Sequence, residues 1–274
     1  MDPKGEVMQS SNPVFGRVVG NRPGYAAMDT SVITTAAPAQ TLEEIYNAPS
    51  ASSLQTGRMT IDDVVTRTGL LFAILVTAGG FAWYSNFGTP VMFIGMIGAF
   101  ILGMVNTFSK RVQPVLVMAY AGLEGLALGV LSHVYESTYP GIVSQALIGT
   151  IAAFVGVLIA YKSGKVRVTP RFTKVMMGAL VGYMVLGLGS MIAALAGVGH
   201  GYGLYGVSGL GLLLAVGGVA IASFFLILDF DQVEKMIKAG VPHNEAWRAG
   251  FGLMVTVVWL YLEILRLLSI LRRD

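Results

Sequence analysis

Three carboxylates stand inside stretches that are otherwise apolar: Glu124 in AGLEGLALG, Asp229 in FFLILDFDQVE and Glu263 in VTVVWLYLEILRLLSIL. A charged side chain at the centre of a bilayer costs about 2.5–3.5 kcal/mol on insertion scales, so each calls for a partner or a task. Two carboxyls brought together in low dielectric cannot both ionise cheaply; they share a proton and form a pH-sensitive latch. With water, the same pair is a hard-cation site. Asp229 and Glu263 can meet only under a geometric condition. The runs that carry them follow one another through AGVPHNEAW, where Pro242 and Asn244 mark a turn and helix cap. A simple hairpin places Asp229 nearer that turn than Glu263 by about two helical turns, at about 1.5 Å per residue. The offset shrinks if NEAWRAGFG lies along the interface before the last helix descends, a position that suits Trp247 and Arg248. Plainer readings stand beside this one. Asp229 and Asp231 could mark where a helix emerges into water, with Asp231 pairing Lys235 at i,i+4. Glu263 could form a structural ion pair with Arg266, and Glu124, flanked by Gly122 and Gly125, could serve as a helix-packing residue.

The elements that must position these acids are read from apolarity. The chain has 274 residues, 54% hydrophobic and 12% charged, about half the charge of a soluble domain. That places it among multi-span membrane proteins. Its 35 glycines let helices approach closely in lipid. The absence of cysteine excludes disulfides and thiolate metal sites. The basic residues lie between apolar runs, which points to membrane orientation rather than to nucleic acid. Seven runs, at about 68–84, 90–108, 114–135, 142–161, 174–196, 208–228 and 249–270, each approach the roughly 20 residues a helix needs to cross hydrocarbon. The expected fold is an all-α membrane protein, with a seven-helix domain over 68–274. Residues 1–67 read as a largely disordered cytoplasmic tail with a short helix at Leu42 to Tyr46.

The connections Ser85–Thr89, Glu136–Gly141 and Gly197–Val207 carry no Lys or Arg. Arg58, Arg67, Lys110, Arg111, Lys162, Lys165, Arg167, Arg171, Lys174, Lys235, Lys238 and Arg248 all fall on the other side. The positive-inside rule therefore expects a cytoplasmic N-terminus in a multi-pass protein of the cell membrane. Seven crossings put Arg272 and Arg273 outside, against the rule. Either packing rather than charge holds the last helix, or it does not fully cross; seven full spans are expected.

Taken in order, AGLEGLALG in the third span, LDFDQVE closing the sixth and LYLEILRLLSIL in the seventh resemble the Bax inhibitor-1 family, also called the transmembrane Bax inhibitor motif family. The tail with SSNPVFGR is similar to its bacterial branch. The resemblance covers about residues 68–271. It implies two groups of three helices around a central C-terminal helix, and a pH-sensitive calcium leak. It also implies a pair of acids as the pH sensor, one ending the sixth helix and one inside the seventh; these are Asp229 and Glu263. A basic residue at the cytoplasmic end of the second helix, Lys110 or Arg111, is implied to hold the closed form. Two features depart from the pattern: the second acid is Glu rather than Asp, and the loop before the last helix is longer. The second helix also lacks an acid that could pair with the C-terminal arginines.

No enzyme activity is expected. Ser208 in YGVSGLG sits as in rhomboid-type proteases, but no histidine falls within a later helix to meet it at depth. A retinal pump needs a lysine in the last span, and none is there. The remaining alternative is a non-transporting regulator that binds membrane proteases or stress and death-pathway proteins. The expected partners are the lipid bilayer and calcium ions, with no nucleic acid and no cofactor, and the expected state is a monomer. Asp229 and Glu263 are the expected gate and cation ligands, supported by Lys110, Arg111, Glu124, Asp231 and Arg266.

Overall fold

The computed structural model describes residues 57–272, apart from 165, 167, 202, 207 and 208. Helix α1 (Ile61–Tyr84) begins at a reciprocal cap: the Thr60 hydroxyl accepts the Asp63 N–H at 3.3 Å, and the Asp63 carboxylate accepts the Thr60 N–H at 3.0 Å. Such a box satisfies two of the helix's free donors. Proline in the first turn, where its missing N–H costs nothing, opens α2 (Thr89–Phe108), α3 (Pro114–Thr138) and α5 (Pro170–Leu195). Helix α4 (Ile142–Lys162) follows Gly141, whose φ of 81° lets the chain reverse tightly. The Glu136 carboxylate fastens that reversal by accepting the N–H groups of Gly141 and Val143 at 2.5 and 3.0 Å. Two short 3-10 turns, Val198–Gly201 and Gly203–Gly206, lead to α6 (Leu210–Lys238). A third, His243–Glu245, leads to α7 (Ala246–Leu271).

Each of the seven helices is long and apolar enough to cross a membrane. Their outward faces are rich in bare apolar side chains, such as Ile94, Ile97 and Phe100 on α2 and Val185, Leu188 and Ile192 on α5. Acyl chains can cover such faces, and this is a multi-pass membrane protein. Helix α3 packs on α1 and α2, while α6 packs on α4 and α5. Helix α7 touches α1, α3, α4 and α6 and is the most buried of the seven, so the expected two groups of three do surround it.

Small residues set the closest of these contacts. A Cβ on Gly125 or Gly129 of α3 would collide with the carbonyl oxygens of Leu75 and Gly79 on α1. On the other side of α3, a Cβ on Gly95 of α2 would lie 2.9 Å from the Leu123 carbonyl. In lipid, where apolar side chains gain little by leaving their surroundings, this intimacy supplies the packing energy.

Of the boundaries that differ from the expected ones, three bear on the site and its support. Helix α1 starts at Ile61, so residues 61–67 belong to the bundle and Val64 is buried. The charged first turn hides this start from an apolarity scan, whereas the Thr60 cap marks it. Helix α6 runs ten residues past 228, because the charged stretch DFDQVEKMIK stays helical. Helix α7 is continuous from Ala246, with no interfacial segment before it. The disorder expected for the tail up to residue 56, and the helix at 42–46, lie outside the described residues.

At the end of α7, Arg272 donates to the Pro140 carbonyl at 2.8 Å and to the Gln145 side chain at 3.0 Å. These groups belong to the α3–α4 turn and the first turn of α4, opposite the basic loops, so α7 runs the full depth of the bundle. At the basic end, the segment before α1 is strapped to the α6–α7 connection. Met59 N–H donates to Val241 at 2.8 Å, His243 N–H donates to Gly57 at 2.9 Å, and the Met59 side chain is buried. Arg67 adds a hydrogen bond to the His243 carbonyl and lies over the Trp247 ring.

Candidate functional site

Glu263 is the one buried charged residue among those described, only 3% exposed, and each of its neighbours comes from a different direction. From one turn earlier on α7, the Trp259 indole N–H donates to Oε1 at 3.0 Å. From one turn later, Arg266 straddles the carboxylate, with one guanidinium nitrogen 3.3 Å from both oxygens. From α5, the Tyr183 hydroxyl comes up beside the carboxylate at Gly218 and accepts from Arg266 at 3.4 Å. From the second 3-10 turn, the Tyr205 hydroxyl donates to Tyr183 at 2.9 Å, and its ring lies 4.4 Å from the guanidinium carbon. Helix α6 contributes an absence: a Cβ on Gly218 would lie 2.5 Å from Glu263 Oε2 and nearer still to the Tyr183 hydroxyl. Only glycine leaves room for the two polar groups against the α6 backbone. The cluster borders a cavity of about 430 Å³ between α5 and α7, otherwise lined by Met184, Met191 and their apolar neighbours. Here the carboxylate's cost of burial is met by a cation and by the Trp259 N–H.

Asp229 lies elsewhere. It faces Thr256 of α7, and Asp229 Oδ2 is buried without a hydrogen-bond partner in the structure. Its cavity, about 570 Å³, is bounded by α2, α3, α6 and α7 and also takes in Glu124 and Tyr120. Glu124 is thus placed beside the Asp229 cavity rather than only within a helix seam.

The expected pair of Asp229 with Glu263 is therefore not formed, and the two do not make a joint cation site. The reason is helical register. Asp229 stands nine residues before the end of α6 and Glu263 seventeen after the start of α7. The eight-residue difference is about 12 Å along the helices. Since α7 descends directly from Ala246, nothing absorbs that offset, and Asp229 meets Thr256, ten residues into α7. Asp229 does not end its helix either, because α6 continues to Lys238. Among the described residues, no three His, Asp or Glu side chains gather closely enough to hold a metal ion.

The supporting residues divide. Arg266 pairs with Glu263, and Asp231 pairs with Lys235 at 2.6 Å near the end of α6, the plainer reading of each. Lys110 and Arg111 are exposed in the α2–α3 turn and approach neither carboxylate through their side chains. What this turn contributes is backbone: the carbonyl of Ser109 accepts from Arg248 at 3.1 Å and that of Lys110 at 3.5 Å. Sequence reasoning did not single out Thr256, Trp259, Tyr183, Tyr205 or Gly218. Trp259 alone carried a signal, since it precedes Glu263 by one helical turn on the same face. The tyrosines come from elements whose rotation and loop path are not written in local pattern.

No curated protein matches the chain. A family model described as Bax inhibitor 1 like matches residues 12–273. With nearly its whole length covered, and six helices arranged around the last, the chain belongs to the Bax inhibitor 1-like family.

Proposed function

We propose that this protein is a pH-sensitive calcium leak channel of the cell membrane, with its basic loops and N-terminus in the cytoplasm. It acts by no enzymatic step. The observation that carries the reading is the placement of the acids. Asp229 and Glu263 border two cavities about two turns apart along α7, one toward the basic end and one toward the other. Two acidic stations at different depths along a central helix suit stepwise cation passage better than a single pair would, and intramembrane acids commonly mark ion pathways. The groups facing Glu263 are Arg266, Tyr183, Tyr205 and Trp259; those facing the Asp229 cavity are Thr256, Glu124 and Tyr120. That acid favours the leaking state is what the resemblance to the family implies.

The test is calcium entry into dye-loaded liposomes across pH, for wild type, Asp229→Asn, Glu263→Gln and the double variant. Wild type should leak, more so in acid. Because the carboxylates occupy separate cavities, the logarithmic effects of the single changes should add to within about 0.5 kcal/mol equivalent in the double. No entry above protein-free liposomes would refute the channel and leave a regulator of membrane partners in its place. A double variant no worse than either single would restore the proton-sharing pair.

A further inference from the structure

We infer that Arg266 is a tethered counter-ion that occupies the place a passing divalent cation would take at Glu263, and that Tyr205 is the lid that keeps it there. The inference rests on the leak reading for its physiological meaning, but its geometry stands apart from it. A divalent cation held by a carboxylate needs oxygens at about 2.3–2.6 Å, drawn from one or both carboxylate atoms and from further neutral donors. At Glu263 both oxygens are already engaged by one guanidinium nitrogen, at 3.3 Å each, and Oε1 also receives the Trp259 N–H. The local charge is therefore cancelled from within the same helix.

A guanidinium on a flexible stem would not stay in place by one ion pair alone. Its side chain is 37% exposed and faces the cavity, against 4% for the carboxylate it neutralises. What fixes it is the face of Tyr205, 4.4 Å away, a cation–π contact, together with the hydroxyl of Tyr183. Tyr205 is in turn set by its loop. The Leu204 N–H donates to the Ser190 hydroxyl of α5 at 3.0 Å. Gly203 approaches the Ser190 backbone so closely that any Cβ there would strike it, and the Tyr205 hydroxyl reaches Tyr183. The two 3-10 turns thus form a lid seated on α5, and the Tyr205 ring presses on the tethered cation. Arg266 sets what the site rejects, and Tyr205 is its positioning residue.

The test uses terbium(III), whose emission is sensitised by a nearby tryptophan, with Trp259 as the antenna beside Glu263. Full-length protein in detergent is titrated as wild type, Arg266→Gln, Tyr205→Ala and the double Glu263→Gln/Arg266→Gln. Calcium entry into liposomes is measured on the same four. Releasing the carboxylate should tighten terbium binding about fivefold or more, the lower range of coupling between linked sites. The gain should appear in Arg266→Gln and Tyr205→Ala and vanish in the double. Calcium entry should rise in the same two variants. If removing Arg266 prevents folding, Tyr205→Ala decides alone, because it keeps both charges. Unchanged terbium binding in the single variants, or a gain that persists without Glu263, overturns the inference. A terbium gain with no calcium entry in any variant keeps the tethered cation and refutes the leak.

Discussion

Adjacent glycines on α6 offer a direct check on the geometry around Glu263. At Gly218 an added Cβ would lie 2.5 Å from Glu263 Oε2, whereas at Gly217 it would meet nothing within 4 Å. Ordinary contact begins near 3.4 Å, so Gly218→Ala must push the carboxylate, or α6 itself, by about 0.9 Å. Forcing a methyl into a filled site costs about 1–3 kcal/mol. Against this stands the helix preference for alanine, about 1 kcal/mol. Gly218→Ala should therefore be destabilised by up to about 2 kcal/mol, while Gly217→Ala should gain up to about 1 kcal/mol. Thermal unfolding in detergent gives the order of the three proteins. Tryptophan emission, read against a Trp259→Phe control, shows whether the indole has lost its bond to Glu263. If Gly218→Ala proved as stable as Gly217→Ala, with unchanged Trp259 emission, Glu263 would not be packed against α6 and the description of the site would fall.

Two further outcomes follow from the packing. Gly129→Leu should abolish monodisperse protein in detergent, since a side chain there must part α1 from α3; a well-behaved variant in size-exclusion chromatography would refute the seam. Removing residues 1–56 should leave a folded bundle. Removing 1–60 should lower its melting temperature, because the Thr60 cap, worth about 1 kcal/mol, and the buried Met59 go with it. Equal melting temperatures would mean that the strap to the α6–α7 connection contributes nothing.

Much of the architecture was legible in the chain because apolar length is a strong signal in lipid. The seven spans, their order and the central last helix all follow from runs such as 249–270 and from the resemblance carried by LYLEILRLLSIL. Helix ends were less legible, since apolarity measures contact with oil and not hydrogen bonding. Asp229 to Lys238 is helix without being oily, and Ile61 to Arg67 likewise. That error passed into the site. The two-turn offset between Asp229 and Glu263 can be counted from the turn at Pro242, and only an interfacial segment that α7 does not have would absorb it. Glu263 with Arg266 was readable from their i,i+3 spacing. Tyr183 and Tyr205 were not, because they reach the site only through the rotation of α5 and the path of the 3-10 turns.

The glycine seam between α1 and α3 also governs how the bundle can deform. Gly125 receives the Leu75 carbonyl, and one turn on Gly129 receives that of Gly79, so two teeth sit in two notches four residues apart. To slide α1 along α3, both teeth must leave their notches at once. Rotation is blocked in the same way. These two helices therefore behave as a splined shaft. Helix α5 meets α6 with a single side-chain tip, the Tyr183 hydroxyl at Gly218, while its own glycines Gly178, Gly182, Gly187 and Gly189 meet nothing within 4 Å and only Met176 and Ser190 are buried. Strain applied by the surrounding bilayer, through its thickness or its lateral tension, will accordingly be taken up as movement of α5 against α6 rather than within the α1–α3 unit.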